Sequence, residues 1–435
     1  SLTFDYQELH YTYYHAQMQP VYLLQSQESV LDAKISALND FASKIDDLYS
    51  AFNSLTSTTI LDQKSVSSSD ETVLTASIYD STEALAGSVS VDVKQLAAND
   101  VWLSQASFTD LTSAVATVSG TIEISYAGNV VATINYDTDT TDSTNPSTLQ
   151  EIASAINNAQ DKVRASVIFD GTGYRLLLSG VDTGSSNTVS ITETGGGDLL
   201  DQLQIGSNYP SSHVQTAQDA VVSVYGTDIS SSTNTFTEAV PGIQFTVKDV
   251  GTATITTDKD FEPFKTALND FISAYNSLVD FVQTEGGKDG MLSGETTLQF
   301  VRSGILSRMQ PLVNLGIIEF DKDTGHAILD SAKLDELLLN SEDTVRQAIS
   351  DLKTSLYDYL VYLKDPQGPI GSKEDSLNSQ KSSLENQIEQ MQKLVDEQIE
   401  LFRQQLIQVQ LLQEEMDSIR AKLTSVFGDT TLLPS

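Results

Sequence analysis

The sequence predicts an α+β multidomain chain: a helical coiled-coil stem built from both chain ends, with inserted, nested mainly-β domains. Three observations predict it. Apolar residues recur every seven positions at both ends. The stretch from Ser65 to Asp260 alternates with period two instead. Further helical stripes then follow before the chain ends.

The C-terminal pattern is the longest. Leu377, Leu384, Met391, Gln398, Gln405, Leu412, Ile419 and Val426 are spaced by seven, and Ile388, Val395, Phe402, Val409, Met416 and Leu423 form a second series offset by four. This is the a/d arrangement of a coiled-coil seam. Roughly 55 residues at a 1.5 Å rise make a rod of about 80 Å, too long to be buried inside its own globular domain. Gln398 and Gln405 then sit in the seam, where polar groups cost stability and can fix register or oligomeric state.

Near the N-terminus Leu24, Leu31, Leu38, Ile45 and Phe52 repeat with the same period, and Ile35, Ala42 and Tyr49 fill the offset positions. Two more stripes step by three and four: Phe261, Phe264, Leu268, Phe271, Tyr275, Leu278 and Val282, then Val345, Ile349, Leu352, Leu356, Tyr359 and Leu363. The four helices can form one bundle drawn from both halves of the chain. Such stripes can be satisfied within a monomer, but the length of the last one points to a seam that includes other chains.

In the middle, Val89-Ser90-Val91-Asp92-Val93, Thr121-Ile122-Glu123-Ile124, Val221-Val222-Ser223-Val224-Tyr225 and Phe245-Thr246-Val247 read as half-buried strands joined by Ser-, Thr-, Gly-, Asn- and Asp-rich turns. One helix, from Thr148 to Lys162, lies among them, with Leu149, Ile152, Ile156 and Val163 on one face. The expected division is a terminal coiled-coil leg (residues 1–30 and 400–435), a helical stem (31–65 and 258–399), an inner β domain (66–101 and 214–257) and an outer β-rich domain (102–213).

Composition removes several functions. Against 24 basic residues stand 60 acidic ones, a net charge of -36 over 435 residues. Phosphate backbones and anionic membranes repel such a chain, so neither nucleic acid nor membrane insertion is expected. Cysteine is absent, which excludes disulfides, thiolate metal sites and a Cys nucleophile. Without an apolar span or a basic-then-apolar leader, the expectation is a chain that is cytosolic or exported without a cleaved signal.

Candidate chemistry is sparse. Asp137, Asp139 and Asp142 miss the spacing of a calcium-binding EF-hand and read as a solvated loop. Asp321-Lys322-Asp323-Thr324-Gly325, flanked by Ile317, Ile318, Phe320, Ile328 and Leu329, reads as a hairpin turn with Gly325 at positive φ. Gly195-Gly196-Gly197-Asp198 lacks a phosphate-binding frame and any nearby Lys, and reads as a flexible turn. His10 and His15 are five apart, off the spacing of a helical metal face, and aromatic packing is the expectation. No single carboxylate pair stands out as a glycosidase dyad. No catalytic residue, cofactor or metal is therefore expected.

Several stretches resemble one family. Gly87-Ser88-Val89-Ser90-Val91-Asp92-Val93-Lys94-Gln95-Leu96-Ala97, preceded by Val73-Leu74-Thr75-Ala76, is similar to the entry into the β domain of the flagellar filament cap (hook-associated protein 2) family. Residues 30–38 resemble its first helix. Residues 217–220 with 234–243 resemble its second strand unit, and residues 271–279 with 315–334 its stem. Residues 102–213 match by position alone, and the Tyr-rich first twenty residues depart from the pattern.

The resemblance implies a non-enzymatic, extracellular homo-oligomer at the distal end of the flagellar filament, a ring of about five subunits. It would reach the tip by the flagellar type III route without a cleaved signal. Such a cap retains exported flagellin and promotes its folding and insertion. Implied partners are further copies of itself, flagellin, the hook–filament junction proteins and an export chaperone. The assembly coiled coil is expected from Leu24, Leu31, Leu38, Ile45, Phe52, Ile388, Val395, Phe402, Val409, Leu412, Met416, Ile419 and Leu423. Alternatives are another hook–filament junction protein, or a host-surface (mucin) adhesin on a coiled-coil stalk.

Overall fold

The computed structural model describes residues 5–428. The extreme ends of the expected terminal leg, residues 1–4 and 429–435, lie outside the described residues. In chain order the elements are α1 (Tyr6–Leu55), β1 (Lys64–Ser68), β2 (Leu74–Ile78), β3 (Gly87–Gln95), β4 (Asn99–Leu103), β5 (Gly120–Tyr126), β6 (Asn129–Tyr136), α2 (Leu149–Ala159), β7 (Val163–Phe169), β8 (Tyr174–Thr183) and β9 (Val189–Glu193). Then follow α3 (Leu199–Leu203), β10 (His213–Gln215), β11 (Ala220–Val224), β12 (Thr227–Ser231), β13 (Thr235–Val240), β14 (Ile243–Val247) and β15 (Gly251–Lys259). The chain closes with α4 (Glu262–Glu285), α5 (Thr296–Arg308), α6 (Gln310–Asn314), β16 (Ile318–Phe320), β17 (Ala327–Leu329), α7 (Ser331–Asn340), α8 (Glu342–Lys364) and α9 (Pro369–Phe427).

Two compact units result: Ser1–Leu61 with Glu262–Ser435, and Asp62–Phe261. The fold is α+β and multidomain, with the β unit inserted into a helical unit drawn from both chain ends.

The helical unit is organised by α1. Asp5 starts it by accepting the backbone N–H groups of Gln7 and Glu8, and it runs for 50 residues through Pro20. Its C-terminal half buries Leu38, Phe41, Ile45, Leu48 and Phe52 against the apolar faces of α4 and α8. Phe41 stacks on Phe281 at 5.7 Å between ring centroids, and Phe52 packs on Phe271 at 6.4 Å. Between β16 and β17 the Asp321 carboxylate accepts the N–H groups of Asp323 and Thr324, and Gly325 adopts a φ of 73°. The expected hairpin turn is there.

The β unit has two cores. Sheets ordered β1-β15-β3-β11-β12 and β13-β14-β2 contribute Val91, Val93, Val222, Phe236, Phe245 and Ile255 to one of them. Sheets β10-β4-β8-β7 and β6-β5-β9, with α2, enclose Trp102, Ile122, Ile124, Ile152, Leu176 and Leu178 in the other. Alternation works as the period-two pattern requires: β5 buries Ile122, Ile124 and Tyr126. Thr148 starts α2 by accepting the Glu151 N–H, as a capping box does.

One buried carboxyl group joins the strands entering and leaving this second core. Asp100 is 1% exposed. Its carboxylate accepts the N–H groups of Val189 and Ala217 and lies 2.6 Å from His213 Nε2. His213 in turn stacks on Trp102 at 4.1 Å. In the three-glycine turn one position is fixed by its surroundings. A Cβ on Gly197 would collide with the Tyr136 hydroxyl, and Asp198 beside it accepts the N–H groups of Thr117 and Val118. Close approach is what demands glycine there.

Candidate assembly interface

The N-terminal part of α1, from Tyr6 to Asp32, and residues 381–413 of α9 form an antiparallel helix pair. Asp32 meets Lys381 at 2.7 Å, Met18 and Val21 pack on Val395, Tyr13 stacks on Phe402 at 3.9 Å, and the Tyr6 hydroxyl bonds Gln413 at 2.5 Å. Tyr14, Ile388, Met391 and Ile399 complete this small core. A buried aliphatic side chain contributes about 1.5–3 kcal/mol, so the seam holds the two rods together without a second chain.

The packed face of α9 is therefore Leu384, Ile388, Met391, Val395, Ile399, Phe402 and Leu406. It follows the heptad as far as Val395 and then takes an extra step of four. Such a stutter keeps a nearly straight α-helix facing its neighbour, because 3.6 residues per turn drift against a strict repeat of seven. Gln398 and Gln405, expected in the seam, are instead exposed; Ile399 and Leu406 take their places.

The strict heptad stripe beyond that point is left uncovered. Val409 is 47% exposed, Leu412 57%, Met416 57%, Ile419 51% and Leu423 37%. Leu401, Leu411 and Val426 extend the apolar surface. Because α1 starts at Tyr6, opposite Gln413, no α1 residue among those described lies beside Met416, Ile419 or Leu423. Apolar exposure this continuous is uncommon on the surface of a monomeric protein.

The other expected assembly residues divide. Leu38, Ile45 and Phe52 are at most 1% exposed in the chain's own bundle, so a second chain cannot reach them. Val395 is buried in the hairpin, and Leu24, Leu31, Ile388 and Phe402 are half-buried. The sequence reading missed Tyr14, Met18 and Val21, whose steps of four and three were a usable signal. Tyr6, His10, Tyr11 and Tyr14 also line a groove of about 630 Å3 with Leu406 and Ile407.

Charge is confined to the rims. Lys381 is raised above its ordinary value by its bond to Asp32, and the Arg403 guanidinium holds the Glu400 carboxyl below its ordinary value. His15 sits among Tyr11, Tyr14 and Tyr22, the aromatic packing expected of it. Asp137, Asp139 and Asp142 each accept a nearby backbone N–H. Among the described residues no group of three or more His, Asp or Glu could hold a metal, and no helix is long and apolar enough to cross a membrane.

Known proteins share this architecture. The family models of the flagellar hook-associated protein 2 N-terminus and C-terminus match residues 3–100 and 217–418, together more than half of the chain. The flagellar hook-associated protein 2 of Aquifex aeolicus is 33% identical over 184 residues, covering 40% of this chain and 41% of that protein. Its counterpart in Salmonella typhimurium is 26% identical over 315 residues, covering 64% of this chain and 66% of that protein. The chain thus spans less than two thirds of the length of either relative. The crystal structure of the flagellar cap protein FliD D1-D2-D3 domains from Escherichia coli superposes with a TM-score of 0.61 at 26% identity, over 79% of this chain and 99% of that one. With both ends matched to one family in sequence and most of the chain matched in fold, the chain belongs to the flagellar hook-associated protein 2 family.

Proposed function

We propose that this chain is a non-enzymatic cap at the distal end of the flagellar filament. It forms a ring-like homo-oligomer, retains exported flagellin, and promotes flagellin's folding and insertion. Export follows the flagellar type III route, with an export chaperone beforehand and the hook–filament junction proteins as neighbours. The four-part division expected from the sequence belongs to the same reading, and the two separate cores of the β unit support it.

One observation carries the proposal: the uncovered apolar stripe Val409, Leu412, Met416, Ile419 and Leu423 at the end of a helix already anchored by its other half. An anchored rod with a free apolar end is built to pack on a neighbouring helix. Leu24, Leu31, Ile388 and Phe402, half-buried, belong to the α1–α9 seam that anchors the rod. Removal of residues 405–435 is expected to abolish filament growth in a cap-deficient strain while the β unit stays folded by near-UV circular dichroism. Normal filaments from the truncated chain would refute the assignment.

A further inference from the structure

The β unit carries two open strand edges of the same unusual kind. β3 is paired with β15 from Gly87 to Val93, but with β11 from Val91 to Gln95 alone. On the β11 side, Gly87–Ser90 has no strand beside it among the described residues. The reason is that β11 stops at a tight turn, Tyr225-Gly226, with φ values of 51° and 77°. Two consecutive positive φ angles are the geometry of a type I′ hairpin, which Asn and Gly favour and a bulky aromatic does not. Tyr225 nevertheless occupies it and is 82% exposed. The resulting notch of about 350 Å3 is lined by Leu85, Ala86, Val89, Tyr225, Val240 and Pro241, none of them charged. Leu85 is 76% exposed at its rim.

The second edge is β6. Asn129-Val130-Val131-Ala132-Thr133-Ile134-Asn135-Tyr136 contains no charged residue, and β6 pairs with β5 alone. Natural edge strands are usually blunted by charge, proline or a covering group. Its neighbours follow that rule. On β7 the Asn157 side chain takes both the N–H and the C=O of Ala165, and Gln160 does the same for Val163. On β12 the edge carries Asp228, paired with Lys94 at 2.7 Å. Among the described residues the β6 edge carries no charge and no side-chain cap; a register shift opposite Ile124–Ser125 leaves Val131 as an extra residue in it, and Val130 is 55% exposed beside the Ala127-Gly128 turn.

We propose that the first half of β6 in one copy, Asn129–Ala132, adds as a strand to the Gly87–Ser90 notch of a second copy. The occupant is argued from charge. Two chains of net charge -36 repel over most of their surfaces, and the approach costs least where both partners are uncharged. Four residues of open ladder face four residues of open edge, and Leu85 and Tyr225 offer apolar walls to Val130. Edge and notch are different surfaces, so the contact is head-to-tail, the type that closes into a ring when its rotation permits. The inference rests on the ring-like assembly proposed above and gives it a contact outside the coiled coil.

The test uses the full chain. On assembly, amide hydrogen exchange should slow at both Gly87–Ser90 and Asn129–Ala132. Val130→Glu and Leu85→Glu, both at exposed positions, should each weaken association in sedimentation by at least about tenfold through like-charge repulsion, with an unchanged melting temperature. Phe300→Glu, on an exposed site of α5 in the helical unit, should change nothing. An oligomer with unaltered exchange at either edge overturns this inference and leaves the ring reading standing. So does weakening by Leu85→Glu alone, which would assign the notch to another strand. A chain that stays monomeric throughout overturns both.

Discussion

The two halves of α9 carry one continuous heptad pattern and meet opposite fates. From Leu377 to Val395 the apolar positions are buried or half-buried, the last of them against α1. From Val409 to Leu423 the same kind of residue at the same spacing faces solvent. A heptad therefore records a demand for an apolar neighbour, not the identity of the neighbour. The first half is met by α1; the second is met by nothing among the described residues.

The largest effect should come from the region where that demand is met most completely. Phe52→Ala removes a fully buried ring between α1, α4 and α8, and is expected to cost about 3–5 kcal/mol in urea unfolding. A cost below about 1 kcal/mol would mean that α1 is not the organising helix.

A paired substitution separates the two halves directly. Val395→Ala should cost about 1–2 kcal/mol from two lost methyl groups in the α1–α9 seam. Leu412→Ala should stay within about 0.5 kcal/mol in the monomer yet weaken self-association in sedimentation. Equal effects on monomer stability would erase the distinction between covered and uncovered stripe.

The smallest effect contrasts apolar seams with polar turns. Asp70, Asp80, Asp110 and Asp170 of the β unit are held below their ordinary value of 3.8 by accepted hydrogen bonds, led by the Thr72 and Thr82 hydroxyls and by the Ser113 and Thr172 N–H groups. A carboxyl depressed on folding adds stability that is present above its unfolded value and is lost as pH falls through the folded one. Thermal melts should thus show the β unit weakening below about pH 4, more steeply than the α1–α9 pair. A pH-independent β unit would show that these turns contribute nothing.

Much of the fold was legible because it rests on local periodicity. The α4 stripe from Phe264 to Val282 and the β5 alternation Ile122, Ile124 are each set by one element's own geometry. The Asp321–Gly325 turn was legible for the same reason. The exposure of the expected assembly residues was not legible. Leu412, Met416 and Ile419 face solvent whereas Leu38, Ile45 and Phe52, with the same spacing, are core, since spacing carries no information about which neighbour arrives. The need for Gly197 was not legible because the Tyr136 ring that takes its room lies about sixty residues away in sequence.

From its sequence alone this chain was bound to be helical at both ends, β-rich between them, acidic and free of cysteine, since those properties depend on composition and on repeats within a few turns of chain. Tertiary structure alone decided that the seam steps from Gln398 to Ile399, that β11 stops short of Gly87–Ser90, and that the outer edge of β6 has no strand beside it among the described residues. Each of these depends on how far one element extends beside another, a distance set by the whole path of the chain.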